Sequence, residues 1–361
     1  MMQSSLILAI LAALVSHLNP TLGEPSGHRV SYEHRRHASL QGRDTINPPP
    51  STHGTLSFIQ TANVTRVLIN NPPINLLTAE LISDLHSFLL WAQPAPQKRT
   101  PKVVIFTSTL PNFFLSHFDL RNLNPSSLKP SSSQQQQQQQ PPQTPFTQLL
   151  SIGRLLQSTT STAFIAQING RTYGGGQELA AQMDMRFAGP GASIAQYENS
   201  NGFVAQAGGQ LSLAPIIGKA RALEHLLASR TIDAATGTRL GLFNNWYPDP
   251  ATLDREVEAL AARIGLFSQR ALNDTKFSLA FMSPTAPMLE AQVERFAVVA
   301  AGEECQALLG RTLAASEVGG NAFERGIPNS VVEALYGDSL GALEAGLRRR
   351  VLGAVGQRCD F

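Results

Sequence analysis

The sequence predicts an α/β protein in which a sheet-containing core is followed by a helical carboxy-terminal region. Two observations carry that prediction. Apolar, β-branched runs at Val64–Asn70 and Val103–Thr107 enclose Thr78–Trp91, where Leu81, Ile82, Leu85, Phe88 and Leu89 recur at helical spacing. From Gln210 onward, helical patterns dominate.

In chain order, Val64–Asn70, Thr78–Trp91 and Val103–Thr107 read as a β-α-β unit. Pro72-Pro73 bars helix before Thr78, whose hydroxyl suits an N-cap. Leu149, Leu150, Ile152, Leu155 and Leu156 then mark a helix, and Ala163–Ile168 a buried strand. A short helix is expected to start within Gly174–Gly176 and to carry Glu178 and Leu179, followed by strands at Met185–Ala188 and Ser193–Tyr197. Four further helices are expected at Lys219–Ser229, Thr252–Ile264, Arg270–Met282 and Leu289–Leu309.

Composition divides the chain. Residues 1–23 contain the apolar run Leu6–Val15, too short to span a bilayer and of the length found in the core of a secretion signal. Its n-region lacks Lys and Arg, and Arg29, Arg35, Arg36 and Arg43 suit an organelle-targeting extension as the competing reading. Residues 24–53 are polar, end in three prolines and read as a disordered linker. Residues 54–265 form the expected core, interrupted at 126–145 by a Ser/Gln/Pro-rich insertion with seven consecutive glutamines, and 266–361 the helical region. No stable membrane span is expected.

Hydrophobic content of 42% with 15% charged residues is that of a globular protein. A net charge of +2 without a basic, aromatic-interleaved patch argues against nucleic acid as a partner. Cys305 and Cys359 are too far apart for a zinc motif, so no metal site is expected.

The chemistry concentrates between Asn169 and Glu198. A strand runs into Gly174-Gly175-Gly176 and directly into a helix, so main-chain N–H groups and the positive end of the helix dipole converge over the turn. An oxyanion would be stabilised there. The spacing fits neither a Walker loop nor a dinucleotide fingerprint. Glu178 lies in the new helix, and Gln196-Tyr197-Glu198 brings a second carboxylate twenty residues later.

This stretch resembles the signature of the enoyl-CoA hydratase/isomerase (crotonase) family, with its Asn-Gly, triple glycine and two glutamates in register. Asn70–Thr78 is similar to the family's amino-terminal strand and turn, and Phe113–Leu120 to its Phe-x-x-Gly-x-Asp loop. The resemblance covers about Leu56–Ile264. It implies a crotonase-type spiral of β-β-α units with a C-terminal helical region that supports a homotrimer or hexamer. It also implies an acyl-CoA substrate, with no cofactor beyond the CoA that belongs to that substrate.

By the same resemblance, the backbone N–H groups of Phe118 and Gly175 form an oxyanion hole for the thioester carbonyl, and Glu178 and Glu198 share proton transfer at the α- and β-carbons. Ser116, Arg121 and Gly174 fall at substrate- and CoA-binding positions, Arg121 where a basic residue often meets the CoA phosphates. Both hydration and isomerisation, the latter resting mainly on Glu198, are compatible with this pair.

Departures from the pattern are His117 for the usual glycine, Phe118 for a small residue, Tyr197 for a common proline and Gln206 for a frequent glycine. Any residue but proline keeps its N–H, so the hole can persist in a narrowed pocket. Ser116, His117 and Asp119 are too close in an extended loop to form a catalytic triad. The expected function is enoyl-CoA hydratase or isomerase, possessing features of a specialised fungal-type fatty-acyl or secondary metabolism. The alternatives are a non-catalytic crotonase-like oligomeric binding module, and a thioester hydrolase or decarboxylase on the same site.

Overall fold

A computed structural model describes residues 54–95, 99–123, 144–206 and 208–341. The signal-like segment 1–23, the linker 24–53, the insertion up to residue 143, Cys359 and the stretch 342–361 lie outside the described residues.

The described chain opens with an antiparallel pair, β1 (Leu56–Gln60) and β2 (Val64–Ile69), in which Leu56 faces Ile69. Helix α1 (Ala79–Trp91) then crosses over to β3 (Val103–Ser108), which pairs parallel to β2 as a helical crossover dictates. Thr78 caps α1 by accepting from Leu81 N–H, as its position predicts. Strand β3 is covered on both faces. Val104 and Phe106 point into the main core with α1, whereas Val103 and Ile105 point the other way, onto Leu253, Val257 and Ala261.

From β3 the chain winds through repeated turns. Strand β4 (Phe113–Leu115) leaves the first sheet, and helix α2 (Pro145–Ser158) returns to β5 (Ala163–Ile168). The next turn is β6 (Arg171–Tyr173) with α3 (Gly175–Gln182), and the next is β7 (Met185–Ala188), β8 (Ser193–Ala195) and α4 (Gly209–Ile217). Strands β3, β5 and β7 lie side by side in one sheet and β4, β6 and β8 in a second, all parallel. That is a spiral of β-β-α units. Each sheet gains a short late strand that the helix-rich pattern hid: β9 (Thr231–Asp233) beside β8, and β10 (Asn245–Trp246) beside β7.

Helices dominate the remainder, as expected: α5 (Lys219–Leu227), α6 (Ala234–Arg239), α7 (Pro250–Gly265), α8 (Gln269–Leu279), α9 (Ala286–Ala300) and α10 (Glu303–Gly326). Two boundaries differ from the sequence reading. The single helix expected over Leu289–Leu309 is broken between α9 and α10, where Gly302 is extended (φ −70°, ψ 148°) and Glu303 and Glu304 start a new helix. The strand expected to reach Tyr197 ends at Ala195, because the chain turns into a 3-10 segment at Glu198–Asn201. Phe296, Ala300, Cys305 and Leu309 of α9 and α10 pack into the main core.

Candidate active site

The turn into α3 is shaped by what its glycines leave out. Gly174 has φ +47° and ψ −123°, a conformation that disfavours any side chain. A Cβ there would stand 2.7 Å from Oε1 of Glu198 and 3.1 Å from Cβ of His117. At Gly176 a Cβ would meet the carbonyls of Leu115 and Ser116, which lets α3 start directly against the loop after β4.

That loop is fastened through its main chain. Ser116 N–H donates to Asn75 (3.0 Å), Leu77 N–H to the His117 carbonyl (3.0 Å), Asp119 N–H to Leu77 (3.2 Å) and Gly176 N–H to Ser116 (3.0 Å). With the His117 carbonyl turned toward Leu77, the trans peptide aims Phe118 N–H the opposite way. Phe118 N lies 3.4 Å from the position a Gly175 Cβ would take. Among the described residues, neither Phe118 N–H nor Gly175 N–H joins the backbone hydrogen bonds of the junction. Two adjacent donors are thus left for a ligand oxygen.

Glu178, in the first turn of α3, and Glu198, after β8, are 3% and 7% exposed. Both line a cavity of about 30 Å³ together with Phe118 and Gly175. Burial and the charge of Glu198 push the Glu178 carboxyl well above the usual carboxylate range. Burial likewise raises Glu198, to about 7, against lowering by main-chain hydrogen bonds and the neighbouring His117. Burial thus raises both carboxyls, and the two titrate as a coupled pair. The main-chain N–H of Gln206 donates to Oε1 of Glu178. Gln196, with its amide nitrogen turned to the carboxylate, donates to Glu198.

Aromatic side chains close the apolar side of the cavity. Phe296 stacks on Phe146 at 5.1 Å between centroids and meets Phe203 edge-on at 5.8 Å. The space left is about that of two water molecules. A second cavity of about 220 Å³, bordered by Leu76, His117, Arg121 and Glu324, adjoins it across His117 and Tyr197.

The structure brings four of the predicted residues, Glu178, Glu198, Phe118 and Gly175, to one cavity wall. Gly174 lies immediately behind Glu198 and serves by having no side chain. Arg121 borders the larger cavity, is largely exposed and pairs with Asp119 at 2.7 Å. Ser116 does not reach either cavity: it is fully buried, and its hydroxyl has no hydrogen-bond partner among the described residues. Three groups escaped the sequence reading as parts of the site: the Gln206 N–H, the Gln196 amide and Glu324, which α10 delivers beside His117. Gln196 alone had a local signal, its fixed place two residues before Glu198. Among the described residues no group of three or more His, Cys, Asp and Glu side chains is arranged to hold a metal ion.

The fold is a spiral of β-β-α units that sets two main-chain N–H groups and two buried carboxyls around one small cavity. The model of the enoyl-CoA hydratase/isomerase family matches residues 60–298, and the chain belongs to that family. It is 36% identical over 115 residues to a Mycobacterium leprae protein assigned as enoyl-CoA hydratase echA8, covering 32% of this chain and 44% of that one. It is 33% identical over 115 residues to the mitochondrial Delta(3,5)-Delta(2,4)-dienoyl-CoA isomerase of Dictyostelium discoideum, covering 32% and 39%. The chain thus spans less than half the length of these curated relatives. A crystal structure of a Streptomyces avermitilis protein assigned as an enoyl-CoA hydratase superposes with a TM-score of 0.66 at 25% identity, over 78% of this chain and 98% of that one.

Proposed function

We propose that the protein is an enoyl-CoA hydratase or isomerase in which Phe118 and Gly175 N–H groups receive the thioester oxygen and Glu178 and Glu198 move protons. The observation that carries this reading is the meeting of both buried carboxyls and both unused N–H groups on one cavity. Donors aimed at the carbonyl oxygen stabilise the enolate as charge develops, which acidifies the α-carbon and opens the β-carbon to water. In isomerisation of a 3-enoyl thioester, ionised Glu198 takes a proton from C2 and returns it at C4. In hydration, Glu198 takes a proton from water as its oxygen joins C3, and the neutral Glu178 carboxyl supplies the proton to C2.

Exposed Arg121 suits the phosphates of CoA at the mouth of the larger cavity. The narrow cavity and the bulky His117-Phe118 loop support a specialised acyl chain, of the kind met in fungal-type secondary metabolism, over bulk fatty-acid turnover. Phe277, Leu279, Phe281 and Met282, each more than half exposed in and after α8, support burial against further copies in a trimer or hexamer.

Purified protein incubated with crotonyl-CoA and with a 3-enoyl-CoA, with products separated by mass spectrometry, tests the reading. A 3-hydroxyacyl-CoA or a 2-enoyl-CoA is expected. Free CoA or carbon dioxide would instead indicate hydrolysis or decarboxylation on the same oxyanion hole, and no turnover would indicate a binding module.

A further inference from the structure

His117 fills a position that the acid/base chemistry above does not use. The residue is 8% exposed, and both of its ring nitrogens face acceptors. Nδ1 lies 2.9 Å from the Phe118 carbonyl oxygen and Nε2 3.0 Å from Oε2 of Glu324. A carbonyl can only accept, and a carboxylate can only accept, so a ring that satisfies both carries a proton on each nitrogen. The other oxygen of Glu324 accepts from the Ser316 hydroxyl at 2.7 Å, which leaves both carboxylate oxygens engaged as acceptors.

The fold makes a specific provision for this contact. Helix α10 is broken at Gly320 (φ +50°, ψ −136°), and a Cβ on Gly319 would stand 2.7 Å from Cβ of Phe323. The bend at these glycines turns the last stretch of α10 so that Glu324 reaches under the loop after β4. A carboxylate 8% exposed is costly without a cation, and His117 is the group its Oε2 meets.

We infer that His117 is an imidazolium held by Glu324, and that the pair is a positioning element: it pins the Phe118 carbonyl and sets a positive charge across Gly174 from Glu198, where it favours the charged form of that carboxyl. The geometry carries this, since the missing Gly174 side chain leaves a gap bounded by His117 Cβ on one side and Glu198 Oε1 on the other. The charges agree with it. Burial pulls His117 down, but the hydrogen bond and charge of Glu324, with the Phe118 carbonyl and the charge of Glu198, together leave it raised. Burial pushes Glu324 up, and its contacts with His117 outweigh that and leave it lowered. The other groups around His117 are Tyr197, edge-on at 5.5 Å; Glu198, with Glu178 beyond it; Asp119 and Arg121, paired to each other on the same loop; and Glu317 on α10.

This inference rests on the reading of Glu198 as the base, and its test has one arm that does not. In full-length protein labelled in its histidine rings, NMR titration should give His117 a midpoint above 6.5, with the signal identified by its loss in His117→Gln. In Glu324→Gln the proton affinity of His117 should fall roughly tenfold or more, one pH unit. Glu324→Asp, which keeps the charge but draws it back from Nε2, should give a smaller fall in the same direction and serves if Glu324→Gln does not fold. A midpoint at or below 6.5, or one indifferent to both substitutions, would overturn the pair. In the kinetic arm, His117→Gln should move the rise of kcat with pH for 3-enoyl-CoA to higher pH, with KM little changed. Turnover with an unmoved profile would overturn the effect on Glu198, whereas absence of turnover in the native protein defeats the functional reading and leaves the titration to decide the pair.

Discussion

Oε1 of Glu198 occupies the space that a side chain on Gly174 would need, 2.7 Å from the position of its Cβ. The glycine and the carboxylate are therefore two halves of one feature. Gly174→Ala should displace Glu198 and also strain a backbone at φ +47°, at a cost of ~1–3 kcal/mol. Urea denaturation and turnover measured together check this. Native stability and native turnover in the variant would separate Glu198 from the glycine turn.

Glu198 should limit the stability of the fold at alkaline pH. Its folded value of about 7 lies above the ordinary 4.5, so the fold favours the protonated form. That contribution is complete below about 4.5 and is lost as pH rises through 7. The change corresponds to ~3 kcal/mol. Glu198→Gln, neutral at every pH, should therefore raise Tm relative to the native protein at pH ~8 by more than at pH ~5. Thermal unfolding at the two pH values reads the difference directly; an equal effect at both would remove burial of an ionising carboxyl as the cause.

Phe296 reaches the cavity from α9 and is 2% exposed. Replacing it with alanine removes its stacking on Phe146 and should cost ~3–5 kcal/mol of stability. The same change enlarges the apolar end of the cavity, so selectivity should move toward longer or bulkier acyl chains. A series of enoyl-CoA substrates of increasing length checks this by the ratio of kcat/KM values. An unchanged ratio would mean that the acyl chain does not pass Phe296.

Local features of the sequence were read correctly because their physics is local. The apolar, β-branched strands β2, β3 and β5 and the capped helix α1 announce themselves by composition and period. Glu178 and the glycines sit within five residues of one another, and β8, paired beside β6, brings Glu198 back to Gly174. What escaped depends on distance or on the main chain. Glu324 is 207 residues from His117 and meets it only because α10 bends at Gly320. The Gln206 donor is a peptide N–H, invisible to any reading of side chains. Ser116 looked like a site residue by its place in the loop, yet backbone pairing with Asn75 and Gly176 turns it away from the cavity. The break at Gly302 was concealed by helical periodicity on both sides of it.

The central claim is that Glu198 moves the proton in an enoyl-CoA reaction. Its most direct test is the rate at which full-length protein and Glu198→Gln convert a 3-enoyl-CoA to the 2-enoyl-CoA, followed by deuterium exchange at C2. Loss of a positioned acid/base group predicts a fall in kcat of roughly 10²–10⁴-fold with loss of exchange. A variant that turns over and exchanges at the native rate would contradict the account.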